Sequence, residues 1–106
     1  MPLIEITNEN FDEHVESTRL ALFDFWAPWC APCKAFAPIF EAAALAHPDI
    51  LFAKINTEAE PLLAKQFEIQ SIPTLLGVID GTISEVRLGA LPPDKLEDLI
   101  QKLRRA

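Results

Sequence analysis

The sequence has few cysteines, few basic residues and no long apolar run, and each shortage excludes a class of protein. Two cysteines among 106 residues are too few for the disulfide framework of a small secreted domain. Nine Lys and Arg residues against sixteen Asp and Glu residues give a formal net charge of −7, which argues against a nucleic-acid-binding surface. No apolar run approaches the roughly 18 residues of a membrane span. We therefore expect neither nucleic acid nor a membrane as partner.

Targeting signals and internal divisions are also missing from the sequence. Residues 1–19 carry acidic residues throughout and no continuous apolar stretch, so they do not resemble a secretory signal peptide. There is no repeat, low-complexity stretch or linker, and half of the residues are hydrophobic. We expect a cytoplasmic protein that forms one globular domain over residues 1–106.

Both cysteines lie in one short segment, Trp29-Cys30-Ala31-Pro32-Cys33-Lys34, which directly follows the apolar run 20–26. A strand that turns into a helix would place Cys30 at the helix N-terminus, where free N–H groups and the helix dipole favour an anion. The thiolate is the reactive form of cysteine. The pattern predicts an exposed, activated thiol at Cys30 and a shielded Cys33 one turn later, close enough to form a disulfide.

Two other uses of the cysteine pair remain open at this point. A zinc site would need two more ligands, and the only histidines, His14 and His47, stand far from zinc-finger spacing. The pair could also be two inert thiols in the core. We expect no bound metal.

Apolar periodicity and turn residues predict the element order β-α-β-α-β-α-β-β-α. The alternating first part implies parallel strands joined by helices, and Asp80-Gly81 predicts a tight antiparallel hairpin. The fold class is therefore α/β, with a mixed central sheet and helices on both faces. The predicted strands are 3–6, 20–26, 50–55, 74–79 and 82–88, and the predicted helices begin near Phe11 and Pro93 and span 33–47 and 59–66.

The chain resembles the thioredoxin family over its whole length. The matching segments are F-D-F-W-A-P-W-C-A-P-C-K (23–34), A-P-I-F (37–40), A-K-I-N (53–56), S-I-P-T-L (71–75), D-G (80–81) and L-G-A-L (88–91). The resemblance implies the thioredoxin fold and a thiol–disulfide oxidoreductase that reduces protein disulfides. It further implies a redox-active Cys30–Cys33 disulfide without a bound cofactor, a reductase partner that draws on NADPH, and a monomer.

The sequence departs from the family pattern at several positions. Ala31 replaces the usual Gly between the cysteines and bears on the redox potential. Glu68 and Ser71 occupy positions that are often Gly, and Phe67 a position that is often Tyr. Thr57-Glu58 replaces a segment that usually carries an apolar residue and Asp. Ser71 and Thr57 bear on the preference for substrate and reductase.

The roles of the catalytic residues follow from thiol chemistry and from the resemblance. Cys30 would attack a substrate disulfide, and Cys33 would then attack Cys30 and release the reduced substrate. Asp24, a carboxylate in an apolar strand, should have a raised pKa and accept the proton of Cys33, directly or through one water. Lys54 on the neighbouring strand would pair with Asp24 and limit that rise. The alternatives are a partly exposed or hydrogen-bonded Asp24 and a solvated Lys54.

A second group of residues is expected to bind substrate. The resemblance implies a cis bond between Ile72 and Pro73, which would leave the Ile72 backbone free to pair with an extended substrate segment. Gly89, which has no side chain, would permit another backbone segment to approach closely. The small side chain of Ala90 would project little from the surface. The expected flat apolar docking patch consists of Trp29, Ile72, Pro73, Gly89 and Ala90.

Residues in and near the cysteine loop should tune the reactivity of the pair. Pro32 stiffens the loop, Ala31 bears on the potential, and Trp26 is expected to pack beneath the loop. Two alternative functions stay open. One is a disulfide isomerase or oxidant of the same fold, with a more stabilised Cys30 thiolate. The other is a non-catalytic binding module that uses the apolar patch.

Overall fold

The strands and helices follow one another in the predicted order. The computed structural model describes residues 3–106. The strands are β1 (Ile4–Glu5), β2 (Leu20–Trp26), β3 (Leu51–Asn56), β4 (Thr74–Ile79) and β5 (Thr82–Leu88), and the helices are α1 (Phe11–Glu16), α2 (Ala31–Ala46), α3 (Pro61–Gln66) and α4 (Pro93–Arg105).

One mixed sheet joins the five strands in the order β1-β3-β2-β4-β5. The first three run parallel, β4 runs antiparallel to β2, and β5 runs antiparallel to β4. The hairpin between β4 and β5 turns at Asp80-Gly81, where both residues have positive φ, +49° and +80°. This conformation is the reason that Asp-Gly predicts a two-residue hairpin.

Strand β2 is buried on both faces because helices cover both sides of the sheet. Phe23 and Phe25 belong to a core with Phe11 of α1 and Leu63 of α3. Leu20 and Leu22 point to the other side, where they join residues of α2 and α4. Alternation along the strand places Asp24 and Trp26 on this second side, beneath the helix that carries the cysteines.

Several element boundaries differ from the prediction, and those of β3 (Leu51–Asn56) and the end of α2 (Ala46) differ by only one residue. Helix α2 begins at Ala31, two residues before the predicted start, because a proline at the second helical position, Pro32, needs no backbone N–H partner. Cys30 is therefore the N-cap residue. Strand β1 spans only Ile4–Glu5, and α3 begins at Pro61.

The C-terminus of α3 holds a non-glycine residue in a conformation that favours glycine. Glu68 has φ of +54°. Its N–H bonds the Lys65 carbonyl at 3.0 Å, and the N–H of Ile69 bonds the Ala64 carbonyl at 2.9 Å. These two hydrogen bonds make a Schellman motif, whose left-handed residue is usually glycine.

Replacing Glu68 by Gly should therefore raise the free energy of unfolding by about 1 kcal/mol, since glycine removes the steric penalty of the left-handed conformation. Chemical denaturation at pH 7 measures the change. Glu68→Ala is the matched control, because it removes the same charge but keeps the β-carbon, and it should give little gain. Equal stabilisation by both variants would assign the effect to charge instead.

Candidate active site

Cys30 and Cys33 form a disulfide, with their Cα atoms 5.3 Å apart. Cys30 is the N-cap of α2, and the Cys33 N–H points at the Cys30 Sγ at 3.2 Å. An N-cap side chain normally accepts such a bond from the third helical residue. In the reduced protein the same N–H group would stabilise a thiolate at Cys30, and the helix dipole acts in the same direction.

The predicted difference in exposure between the two cysteines is wrong for this oxidised form. Cys30 is 4% exposed and Cys33 is 3% exposed. Trp26 and Ile72 pack against the small cluster that contains both residues. The Ile72 carbonyl oxygen also lies 3.9 Å from the Cys30 Sγ. What distinguishes the two sulfurs is therefore position on the helix and hydrogen bonding.

Asp24 is a carboxylate enclosed in the core. It is 1% exposed, and its Oδ1 has no hydrogen-bond partner among residues 3–106. Burial raises the pKa of Asp24 to about 7, the Lys54 charge opposes that rise, and the Glu5 charge adds to it. The alternative of an exposed or locally hydrogen-bonded Asp24 is wrong. No hydrogen bond within residues 3–106 joins Asp24 to Cys33 in this form.

Lys54 lies beside Asp24 in the sheet but makes a different contact. The parallel pairing of β2 with β3 sets Lys54 directly opposite Asp24. The Lys54 Nζ lies 4.4 Å from the centroid of the Trp26 ring, a cation–π contact. None of the ion pairs found in residues 3–106 joins Lys54 to Asp24. Its effect on the Asp24 pKa is therefore exerted without a direct salt bridge.

Glu5 is the residue near this group that the sequence reasoning missed. It pairs with Lys54 across β1 and β3, so Glu5, Lys54 and Asp24 lie in one row across three strands. Only the strand register reveals this row. An acidic residue in the short first strand was the only sequence signal.

Trp26 packs beneath the cysteine loop, as predicted. Its side chain contacts the cluster of both cysteines, and its Nε1 is buried without a hydrogen-bond partner in the part of the chain that the structure describes. The Trp26 carbonyl accepts hydrogen bonds from the Thr57 N–H at 2.8 Å and from the Thr57 Oγ1 at 3.0 Å. This pair of bonds fixes the turn after β3 against the end of β2.

The expected docking patch is only partly at the surface. Trp29 is 70% exposed, Ala90 is exposed, and Ile72 and Gly89 are half-buried. The Ile72–Pro73 bond is cis as predicted, but Pro73 is buried and adds little surface. Gly89 has φ of +88°, and apart from its two neighbours in sequence a β-carbon there would meet no atom of residues 3–106 within 4 Å. Its conformation, and not close approach of this chain's own backbone, explains the glycine.

His47 lies far from the cysteines. His47 caps the far end of α2, roughly 25 Å along the helix from Cys30. Its Nδ1 lies 2.8 Å from Arg104 Nη2, and its Nε2 lies 2.9 Å from Glu97 Oε1. Residues 3–106 contain no group of three or more His, Cys, Asp or Glu side chains arranged to hold a metal ion. The helices of this part of the chain are also too short or too polar to cross a membrane.

Comparison with known proteins identifies this arrangement. The thioredoxin family profile matches residues 2–102. The chain is 48% identical over 102 residues to a putative thioredoxin 2 of Streptomyces coelicolor, covering 96% of this chain and 76% of that protein. It is 38% identical over 105 residues to a thioredoxin of Staphylococcus haemolyticus, covering 96% and 98%. The oxidised structure of mitochondrial thioredoxin 3 from Saccharomyces cerevisiae superposes with a TM-score of 0.86 at 30% identity, covering 94% of each chain.

A fold of this kind with a cysteine pair at a helix N-terminus defines a thiol–disulfide oxidoreductase. The chain belongs to the thioredoxin family. It reduces protein disulfides by dithiol–disulfide exchange through Cys30 and Cys33.

Proposed function

We propose that the two cysteines have fixed, different tasks in this exchange. The Cys30 thiolate attacks one sulfur of the substrate disulfide, and the other substrate sulfur leaves as a thiolate. Cys33 then loses its proton and attacks the Cys30 sulfur, which releases the second substrate thiolate and closes the Cys30–Cys33 disulfide. Two electrons pass from the protein to the substrate. The observation that carries the proposal is the Cys33 N–H directed at the Cys30 Sγ from the first turn of α2.

Asp24 is the proposed acceptor of the Cys33 proton. Its pKa of about 7 suits a group that gains and loses a proton near neutral pH. It lies on the face of the sheet that α2 covers, and its Oδ1 is free to accept a hydrogen bond. The transfer would be direct or would pass through one water. Lys54 is the proposed counter-charge that keeps the Asp24 pKa from rising further.

The substrate is proposed to bind as an extended segment beside Ile72. No hydrogen bond within residues 3–106 uses the Ile72 N–H, so this group can pair with a substrate carbonyl. The exposed Trp29 ring and the neighbouring Gly89 and Ala90 would provide apolar contact on either side. Pro73 would hold the Ile72 backbone in place from below. Ala31, Pro32 and Trp26 would set the potential of the pair.

The same proposal includes an electron donor, a compartment and an oligomeric state for this protein. A reductase that draws on NADPH would restore the dithiol, and the protein would carry electrons from it to disulfide-containing proteins and contribute to cell redox homeostasis. A reducing compartment, the cytoplasm, is where such a pair acts as a reductant. The two cores on a single sheet support one domain over residues 1–106. This domain would act as a monomer.

The reduction potential tests whether the protein acts as a reductant in this setting. We expect equilibration with glutathione to give a value near the −270 mV typical of reductases of this fold. We also expect NADPH oxidation when the protein is mixed with a bacterial thioredoxin reductase and a disulfide-bonded protein. A value of about −180 to −120 mV would instead favour the isomerase or oxidant.

A further inference from the structure

A shallow, open surface pocket lies on one side of Trp29, next to the cysteine loop. Its lining residues are Pro28, Trp29, Asn56, Glu58 and Ala59. Trp29 also lines a second pocket, on the side of Ile72. The exposed indole ring therefore lies between the two pockets, one lined by Ile72 and the other by Glu58.

Among residues 3–106, Glu58 is the only charged residue that lines this pocket. It is exposed, and its carboxylate makes no hydrogen bond or ion pair within residues 3–106. Its backbone, in contrast, is firmly held. The Asn56 Oδ1 accepts the N–H groups of Glu58 and Ala59 at 3.0 and 3.3 Å, and Thr57 is tied to the Trp26 carbonyl. The turn thus fixes the backbone of Glu58, whose unpaired carboxylate and the Trp29 side chain line the same pocket.

An aromatic face and a free carboxylate together are complementary to one kind of side chain. A guanidinium or ammonium group is attracted to the indole ring by the cation–π interaction and to the carboxylate by charge. Each attraction is modest at an exposed site. A cationic side chain in the pocket would make both interactions at once, whereas an acidic side chain would be repelled by the carboxylate.

We propose that this pocket selects disulfide substrates that carry Arg or Lys close to the attacked cysteine. The proposal rests on the disulfide-reductase function and names the substrate class that this chain prefers. Glu58 is its specificity-determining residue, and Trp29 provides the surface on which the cation rests. Because Cys30 follows Trp29 directly, a substrate sulfur at Cys30 brings the neighbouring substrate residues within reach of the pocket.

Three disulfide peptides test the preference. They share one sequence, except that the residues two positions before and after the attacked cysteine are both Arg, both Gln or both Glu. The second-order rate constant for reduction is measured with the fully reduced protein at low salt. We expect the Arg peptide to be reduced about fivefold faster than the Gln peptide and the Glu peptide to be the slowest. The Arg:Gln ratio should shrink in roughly 0.5 M NaCl, because salt screens exposed charges.

Variants test whether Glu58 causes the preference for the Arg peptide. Glu58→Gln should bring the Arg:Gln ratio to within about twofold of one, and Glu58→Lys should favour the Glu peptide. Glu41→Gln is the matched control, because it removes the same charge from an exposed site on α2, about three turns beyond Cys30, and should keep the wild-type ratio.

Two results would overturn the proposal. One is equal reduction of the Arg and Gln peptides by the wild-type protein, and the other is a preference that persists in Glu58→Gln. Loss of the Arg preference in Glu41→Gln would also overturn it, since net charge would then be the cause. Failure to reduce any of the three peptides would refute the reductase function itself, and this outcome is distinct from equal rates.

Discussion

At pH 8, replacing Asp24 by Asn should raise the free energy of unfolding of the oxidised protein by roughly 3 kcal/mol. The pKa of Asp24 is about 7 in the folded protein, whereas an unfolded Asp has a pKa near 3.9. A pKa difference of about 3 lowers the free energy of unfolding of the wild-type protein by roughly 4 kcal/mol at pH 8. The variant escapes this loss, but the cost of burying the asparagine amide offsets part of the gain. The charged carboxylate is destabilising because it is buried without a hydrogen bond to Oδ1.

The sign of the pH dependence follows from the same two pKa values. Between about pH 4 and pH 7 the folded state binds more protons than the unfolded state. The contribution of Asp24 to stability is therefore fully present below about pH 4 and is lost as the pH rises towards 7. The asparagine side chain of the variant does not titrate. The variant should therefore be slightly less stable than the wild-type protein at pH 4, because of the buried amide, and should become the more stable of the two as the pH rises towards 7.

Denaturant unfolding at pH 4, 6 and 8 measures both the gain and its pH dependence. Asp98→Asn, an exposed position on α4, is the matched control and should stay within about 0.5 kcal/mol of the wild-type protein. Parallel pH profiles for the wild-type and Asp24→Asn proteins would contradict the prediction.

The same Asp24→Asn change should slow the closing step of disulfide exchange. Losing a positioned proton acceptor typically reduces a rate by about 100-fold or more. Single-turnover reduction, with the mixed disulfide and the product quenched by acid and separated, measures this step. A variant that is more stable but equally fast would show that Asp24 is not the proton acceptor.

The second large effect concerns the cysteines. Cys33→Ser should stop turnover and leave the substrate attached to Cys30, since the mixed disulfide forms but no thiol remains to resolve it. Cys30→Ser should stop turnover without such an adduct, because Cys33 lies within the helix and lacks the N-cap hydrogen bond.

Mass spectrometry under non-reducing conditions, after incubation with a disulfide-bonded protein, distinguishes the two variants. The double variant, with serine at both positions, is the control for non-specific adducts. Adducts that form equally fast on Cys30→Ser and on Cys33→Ser would contradict the assignment of the attacking thiol to Cys30.

The elements that could be predicted from the sequence are those with a strong local pattern. The apolar run Leu20–Trp26, the Asp80-Gly81 turn and the helix after Pro92 appear as expected. The first strand is shorter than its apolar residues suggest, because only Ile4 and Glu5 pair with β3. The number of residues in a strand that pair depends on the partner strand, so the local sequence does not predict it.

In the candidate site, too, some features could be predicted from local sequence and others depend on distant contacts. The cysteine pair and the buried carboxylate of Asp24 could be found from residue type and spacing alone. The burial of Cys30 could not, because Trp26 and Ile72 pack against the cluster that contains it, and Ile72 belongs to a distant part of the chain. The Lys54–Trp26 contact and the place of Glu5 likewise depend on strand register.

The row of Glu5, Lys54 and Asp24 has a consequence for comparing related proteins by their active-site motifs. Glu5 is exposed and lies on the edge strand, outside the cysteine loop, yet its charge helps to set the proton affinity of Asp24. A neutral substitution at that edge would change the pH at which Asp24 ionises and leave the C-A-P-C sequence untouched. Two relatives with identical loops therefore need not share a pH optimum, and natural variation at the sheet edge can adjust the chemistry from a distance.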